Sequence, residues 1–181
     1  MEFLKYHALG NDYLVSTSEH PDFSKNELTS EQVRKICHRN FGLGSDGILV
    51  GGKDDSGNCF TLKIYNPDGS TAEKSGNGLR IFARSLWDQK LVDHSKFKIV
   101  TSGGIVCAQV DSSGQSVTVE MGSVSFQSNI IPVTGESREV LNETLEISGV
   151  KLTFCSATIG NPHCVVLHRT ISAEETLRLG P

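Results

Sequence analysis

The chain has 181 residues and a formal net charge of −4, with 37% hydrophobic and 21% charged residues. These values are typical of one globular domain or of two small ones. The acidic balance argues against a nucleic-acid partner, which would favour a basic surface. No apolar run approaches the ~20 residues of a membrane span, and the N-terminus lacks a signal-peptide pattern.

The cysteines indicate a reduced, cytoplasmic protein without a structural metal. They are odd in number, irregularly spaced and form no C-x-x-C pair: Cys37, Cys59, Cys107, Cys155 and Cys164. Such a set predicts neither a disulfide framework nor a zinc site. His163 and Cys164 are adjacent but lack further ligands at the usual spacing.

In chain order, the first pattern predicts two short strands, at residues 3–9 and 13–16, around a turn at Gly10-Asn11-Asp12. A helix then follows from Thr29 or Ser30 to about Asn40, with an apolar face at positions 33, 36 and 37. Strands at 47–50 and 59–65 come next, with turns at 54–58 and 66–69.

A second helix is predicted from about Gly76 to Lys90. Its apolar stripe has i, i+3, i+4 spacing and consists of Leu79, Phe82, Ala83, Leu86 and Trp87. Strands follow at 97–101, 104–110, 116–121, 145–147, 150–158 and 163–168, and a short helix at 172–179. The short turns favour an α+β fold with a mixed, largely antiparallel sheet. A boundary near Gly122 gives domains 1–122 and 123–181, the second too small to complete a core.

The most informative motif is SGNGLR at residues 75–80. Gly76, Asn77 and Gly78 are poor helix formers. At a helix start, however, they leave backbone N–H groups available to an anion such as a carboxylate or an enolate. Ser75 is equally well explained as a helix N-cap, and Arg80 as part of a solvated face.

Three turns place an asparagine at or beside a strand end: Asn11, Asn66 and Asn161. An asparagine amide both donates and accepts hydrogen bonds, so three converging amides would hold a zwitterionic amino acid. For each residue alone, the commoner explanation is favoured, because asparagine is a frequent turn residue. His163 is likewise more often a packed side chain than a catalyst.

Six segments together resemble the diaminopimelate epimerase family of cofactor-independent amino-acid racemases and epimerases. They occur in the family's order and are KYHALGNDY (5–13), RNFGLGSDG (39–47), YNPDGS (65–70), SGNGLR (75–80), EMG (120–122) and GNPH (160–163). The resemblance implies two similar domains, each with a mixed sheet around a central helix. It also implies conversion of LL-diaminopimelate to meso-diaminopimelate for lysine and peptidoglycan biosynthesis, without metal or pyridoxal phosphate.

In this family, two cysteines exchange the α-proton, one as thiolate base and one as thiol acid. By position, the resemblance makes Asn11, Asn66, Gly76, Asn77 and Asn161 substrate-binding residues. It makes His163 a neighbour that modulates thiol ionisation. A family glutamine that contacts substrate in some members is replaced by Gly47.

The first catalytic cysteine of the family falls on Ser75, whose hydroxyl is far less acidic than a thiol. The substitution is consistent with an engineered change, with a natural variant or with an inactive homologue. Family members also continue past residue 181 to a second catalytic cysteine, so the chain is expected to be an inactive fragment of an epimerase.

Two alternatives remain open: a one-base isomerase or dehydratase of a related amino acid, and a silent amino-acid-binding homologue. The expected partner is a small amino acid, with a homodimer as a further possibility and neither nucleic acid nor membrane.

Overall fold

The computed structural model describes residues 2–18, 27–54, 56–57, 59–147 and 149–180. They divide into two compact units, Met1–Gly122 and Ser123–Pro181. Part of the turn predicted at 54–58 lies outside the described residues.

The first unit contains two helices, α1 (Ser30–Cys37) and α2 (Gly76–Asp88). Its strands are β1 (Leu4–Ala8), β2 (Asn11–Ser18), β3 (Ile48–Lys53), β4 (Phe60–Tyr65), β5 (Thr71–Ala72), β6 (Phe97–Thr101), β7 (Gly104–Val110) and β8 (Val117–Glu120). The second unit contains β9 (Glu143–Ile147), β10 (Val150–Thr158), β11 (Pro162–Leu167) and α3 (Ala173–Leu179).

The strands of the first unit form one mixed sheet in the order β1-β2-β3-β4-β6-β7-β8, with β5 paired to β4. The pairs β2–β3 and β4–β6 are parallel, and the other pairs are antiparallel. Helix α2 contacts β1 and β2 near one edge and β7 and β8 at the other. The sheet therefore curls around this helix.

The turn between β1 and β2 is shorter than predicted. Leu9 and Gly10 both have positive φ, of 56° and 90°, and Ala8 pairs with Asn11. A two-residue turn with positive φ at both positions matches the twist of the flanking strands. Asn11 and Asp12 therefore belong to β2 rather than to the turn.

Helix α2 supplies the centre of the core. Four residues of the predicted stripe, Leu79, Phe82, Ala83 and Leu86, have no exposed surface, whereas Trp87 is only half-buried. Burying each large apolar side chain contributes about 1.5–3 kcal/mol. The helix ends at Asp88, two residues earlier than predicted, with Gln89 as its C-cap.

Helix α1 begins with a capping box, in which Thr29 Oγ1 accepts the N–H of Gln32 and Gln32 Oε1 accepts the N–H of Thr29. Val33 and Cys37 are buried, as the predicted face requires. The helix stops at Cys37 rather than Asn40, because His38 has extended backbone angles.

In the second unit, β10 lies between β9 and β11, and both pairs are antiparallel. The buried apolar residues of the second unit are Ile131, Val140 and Leu152. Strand β11 is exposed along its whole length, and α3 has no buried residue.

The predicted α+β class and the largely antiparallel sheet around a central helix are confirmed. Within the part of the chain that the structure describes, no helix has both the length and the apolarity needed to cross a membrane.

Candidate functional site

Ser75 is the N-cap of α2. Its backbone is extended, and its Oγ accepts the N–H of Gly78 at 3.0 Å. Gly78 also packs closely, since a Cβ at this position would lie 3.2 Å from Cδ2 of Leu49. A Cβ on Gly76 would meet only Nη1 of Arg80, at 3.7 Å. Gly78 thus has a packing role, whereas packing does not demand glycine at position 76.

The hydroxyl of Tyr13 is a neighbour of Ser75 that the sequence did not reveal. Tyr13 Oη and Ser75 Oγ are 3.4 Å apart. This exceeds the usual 2.5–3.0 Å of an O–H···O hydrogen bond.

The ring of Tyr13, which is 6% exposed, also explains the glycine at position 47. It occupies the space that a side chain there would need, since a Cβ on Gly47 would lie only 2.6 Å from Cε1 of Tyr13. Glycine at position 47 is therefore required by packing.

Asn11 and Asn77 meet, although they are 66 residues apart in the chain. Nδ2 of Asn77 donates to Oδ1 of Asn11 at 3.2 Å. Asn11 opens β2 and Asn77 lies in the first turn of α2, so the pair depends on how this helix start meets the hairpin. Both side chains are half-buried.

Two charged residues hold this pair at its ends, and sequence reasoning missed both. Nδ2 of Asn11 donates to Oδ2 of Asp46 at 3.2 Å. At the other end, Nη2 of Arg80 donates to Oδ1 of Asn77. The assignment of Arg80 to a solvated face was therefore wrong, because its guanidinium contacts a half-buried amide within its own helix. A charged residue inside a glycine-rich segment, as Asp46 is in GLGSDG, was the available signal.

Asp46 belongs to a charged cluster around Asp12. Nη2 of Arg39 lies 2.7 Å from Oδ1 of Asp12 and 2.6 Å from Oδ1 of Asp46. Nζ of Lys5 lies 3.0 Å from Oδ2 of Asp12 and donates to the carbonyl of Gly44 at 2.7 Å. Hydrogen bonding by Arg39, reinforced by Lys5, holds the pKa of Asp12 well below its usual range. The two carboxylates in turn raise the pKa of Arg39.

We expect Asp12→Asn to lower the free energy of unfolding by about 2 kcal/mol at pH 7. The Asp12 side chain is only 13% exposed, which strengthens its ion pairs, but those of Lys5 and Arg39 are 49% and 57% exposed, so solvent screening reduces the gain. Its folded-state pKa lies below the unfolded value. Its contribution is therefore complete above about pH 5 and is lost as the pH falls through the folded-state pKa. Denaturant unfolding at pH 7 and at about pH 3 should show the difference between the two proteins shrinking in acid.

The control is Asp93→Asn, which changes an exposed turn carboxylate that accepts the Ser95 N–H at 2.8 Å. We expect it to have the smaller effect at pH 7. A difference between wild type and Asp12→Asn that stays constant with pH would show that the ionised cluster does not stabilise the fold.

Asn66 follows β4 in the turn to β5. Its Nδ2 donates to Oγ of Ser70 at 2.9 Å, and its carbonyl accepts the N–H of Gly69. Its amide is thus engaged in its own turn, as expected for an ordinary turn asparagine. A role in substrate binding stays a prediction.

Asn161 and His163 belong to the second unit, at the start of β11. Nδ1 of His163 lies 2.7 Å from the carbonyl oxygen of Asn161, and His163 is exposed. The roles of Asn161 in substrate binding and of His163 in tuning thiol ionisation stay predictions.

Cys37 and Cys59 do not offer an activated thiol in place of Ser75. Burial raises the pKa of the Cys37 thiol, and a hydrogen bond to Asp54 raises that of Cys59. Both shifts oppose the thiolate that a base would need. Over the described ranges, no cluster of three or more His, Cys, Asp or Glu side chains could hold a metal ion.

The comparison with protein families matches residues 3–127 to the model described as diaminopimelate epimerase. Diaminopimelate epimerase 2 from Nostoc sp. is 55% identical over 181 residues, which cover 100% of this chain and 62% of that protein. Diaminopimelate epimerase from Desulfitobacterium hafniense is 34% identical over 190 residues, and the match covers 100% of this chain and 65% of that protein. The chain therefore spans less than two thirds of these relatives.

Among solved structures, a hydroxyproline epimerase from Agrobacterium vitis matches with a TM-score of 0.64 and 17% identity, over 91% of this chain and 50% of that one. At this identity the match concerns the fold alone.

Proposed function

Because the chain belongs to the diaminopimelate epimerase family, we propose that it supplies half of the active site of an amino-acid epimerase that converts LL-diaminopimelate to the meso isomer. The observation that carries the proposal is the Asn11–Asn77 pair, joined at 3.2 Å beside the N-terminus of α2. This start of α2 also carries position 75, where the reacting group would stand.

The chemistry breaks the α C–H bond of one stereocentre and forms it again on the opposite face. A base takes the proton, and the electron pair moves into the adjacent carboxylate to give an enolate-like anion. A second group then returns a proton from the other side. The N–H groups at the start of α2 would stabilise the developing charge, because they point outward and carry the positive end of the helix dipole.

Within this proposal, Ser75 occupies the position of the first acid/base group, and Gly76 leaves the backbone there open to substrate. Asn11, Asn66, Asn77 and Asn161 bind substrate, and His163 tunes the acid/base groups. The mechanism uses neither metal nor organic cofactor. The protein acts in the cytoplasm, and with serine at position 75 it lacks the thiol that would serve as the first acid/base group.

A second candidate is an amino-acid-binding homologue without catalysis. It is favoured by the state of Ser75, whose Oγ already accepts the Gly78 N–H and has only a long contact to Tyr13. No base that would deprotonate this hydroxyl contacts it among the described residues. This candidate predicts binding of diaminopimelate without proton exchange.

Binding of LL-diaminopimelate, measured by titration calorimetry, tests what both candidates share. We expect Asn77→Leu to weaken binding by at least tenfold, because a leucine cannot hydrogen-bond and leaves polar neighbours unpaired. The control is Asn40→Leu, since Asn40 is an exposed residue outside the pair. Equal binding by wild type and Asn77→Leu, or no binding by wild type, would refute the proposal.

A further inference from the structure

Arg80, Asn77, Asn11 and Asp46 form one continuous chain of hydrogen bonds. The guanidinium of Arg80 donates to Asn77, Asn77 donates to Asn11 at 3.2 Å, and Asn11 donates to Asp46 at 3.2 Å. A cation therefore stands at one end of the two amides and an anion at the other.

The charged ends allow only one orientation of the amides between them. A guanidinium only donates hydrogen bonds, and an ionised carboxylate only accepts them. Turning Asn77 over would place its NH₂ group against Arg80, and turning Asn11 over would place its oxygen against Asp46. The two fixed orientations also agree with each other, because they bring Nδ2 of Asn77 to Oδ1 of Asn11.

Asp46 is itself held in place. Its Oδ1 contacts Nη2 of Arg39 at 2.6 Å, and its Oδ2 accepts both the Asn11 amide and the backbone N–H of Asp12, at 3.2 and 3.1 Å. One oxygen thus meets the neutralising cation, and the other is left to orient Asn11.

The chain of bonds decides what the pair can offer a ligand. Each amide has two N–H groups and uses one of them in the chain. Within the described part of the protein, the second N–H of Asn11 and that of Asn77 have no partner. Each amide oxygen keeps a second lone pair, but the guanidinium of Arg80 lies against the Asn77 oxygen, and its positive charge repels an ammonium group there and attracts a carboxylate. The pair is therefore biased towards donating hydrogen bonds.

We propose that Arg80 and Asp46 are positioning residues that lock the Asn11–Asn77 pair as a donor for a carboxylate group of the ligand. This rests on the proposed function for the identity of the ligand. The site then selects the carboxylate rather than the ammonium group of an amino acid at this pair.

The first test measures the lock directly and needs no ligand. Hydrogen exchange of the Asn77 side-chain amide with water is followed by nitrogen-15 NMR in the full chain. We expect Arg80→Met to speed exchange of the proton bonded to Asn11 by at least fivefold. Arg80→Lys should restore it to within about twofold, because lysine also donates from a cation. Unchanged exchange in Arg80→Met would overturn the proposal.

Arg84→Met is the matched control. Arg84 lies one turn further along α2 and lines, together with Arg80, a cavity of about 530 Å³ beside β1. It bonds to Asp88 and to the carbonyl of Gly114 instead of to the amide pair. An effect that Arg84→Met shares would come from the cavity or from general loss of charge, and would also overturn the proposal.

The second test measures selectivity with two probes. Pimelate carries the carboxylates of diaminopimelate without its ammonium groups, and 1,5-diaminopentane carries the reverse. We expect wild type to prefer pimelate, and Arg80→Met to reduce this preference about tenfold while Arg80→Lys retains it. A preference that Arg80→Met leaves unchanged would refute the carboxylate assignment.

The two tests separate the possible failures. If the wild-type chain binds neither pimelate nor LL-diaminopimelate, the proposed function fails and the carboxylate assignment fails with it. Amide exchange would still decide whether Arg80 fixes the orientation of Asn77.

Discussion

Replacing Ser75 by cysteine should increase the rate at which the α-proton of LL-diaminopimelate exchanges with D₂O by about 100-fold or more. General-base catalysis typically contributes ~10²–10⁴-fold. A thiol at this position would inherit the Gly78 N–H, which now lies 3.0 Å from Ser75 Oγ, together with the dipole of α2. Both favour the thiolate and lower the thiol pKa from about 8.5 towards neutrality.

The measurement is the loss of the α-proton NMR signal of the substrate over time. Ser172→Cys is the matched control, since Ser172 also caps a helix and accepts the N–H of Glu175 at 3.1 Å, but lies outside the proposed acid/base position. The rate in Ser75→Cys should rise with pH as the thiol ionises. Tight binding of the substrate without exchange in Ser75→Cys would exclude the epimerase mechanism at this site and favour the binding homologue.

Local patterns were sufficient to predict most of the fold. The bounds of β6, β7 and β10 agree with those predicted at residues 97–101, 104–110 and 150–158. Alternation of apolar residues and short polar turns are local signals, and they fix such strands well. The two-residue strand β5 was missed because a pair of residues carries no periodicity.

The candidate site was only partly predictable. The turn residues and the glycines singled out the segments that contain Asn11 and Asn77, which meet in the structure, and N-capping by Ser75 needs only local sequence. The contact of Asn11 with Asn77 and the orienting role of Asp46 depend on side chains far apart in the chain. A contact between side chains that are far apart in the chain leaves no local pattern, so a single sequence does not indicate which of several polar side chains meet.

Removal of the Phe82 ring should have the largest effect on stability. Phe82 lies at the centre of the core with no exposed surface. Phe82→Ala is therefore expected to cost about 3–5 kcal/mol, from lost burial and from the cavity left behind. The matched control is Phe41→Ala, because Phe41 is 90% exposed and its loss should change the free energy of unfolding little. Fluorescence of the single tryptophan, Trp87 of α2, reports unfolding of the first unit.

The glycine opposite this ring provides an independent test of the same packing. A Cβ on Gly51 would lie 2.6 Å from Cζ of Phe82 and 2.4 Å from the carbonyl oxygen of Thr61. Gly51→Ala should therefore cost about 1–3 kcal/mol by overpacking. In a Phe82→Ala background this cost should fall by at least about 0.5 kcal/mol, because one of the two clashes is gone. Strictly additive effects of the two substitutions would show that α2 does not pack on β3 through Phe82 as the structure describes.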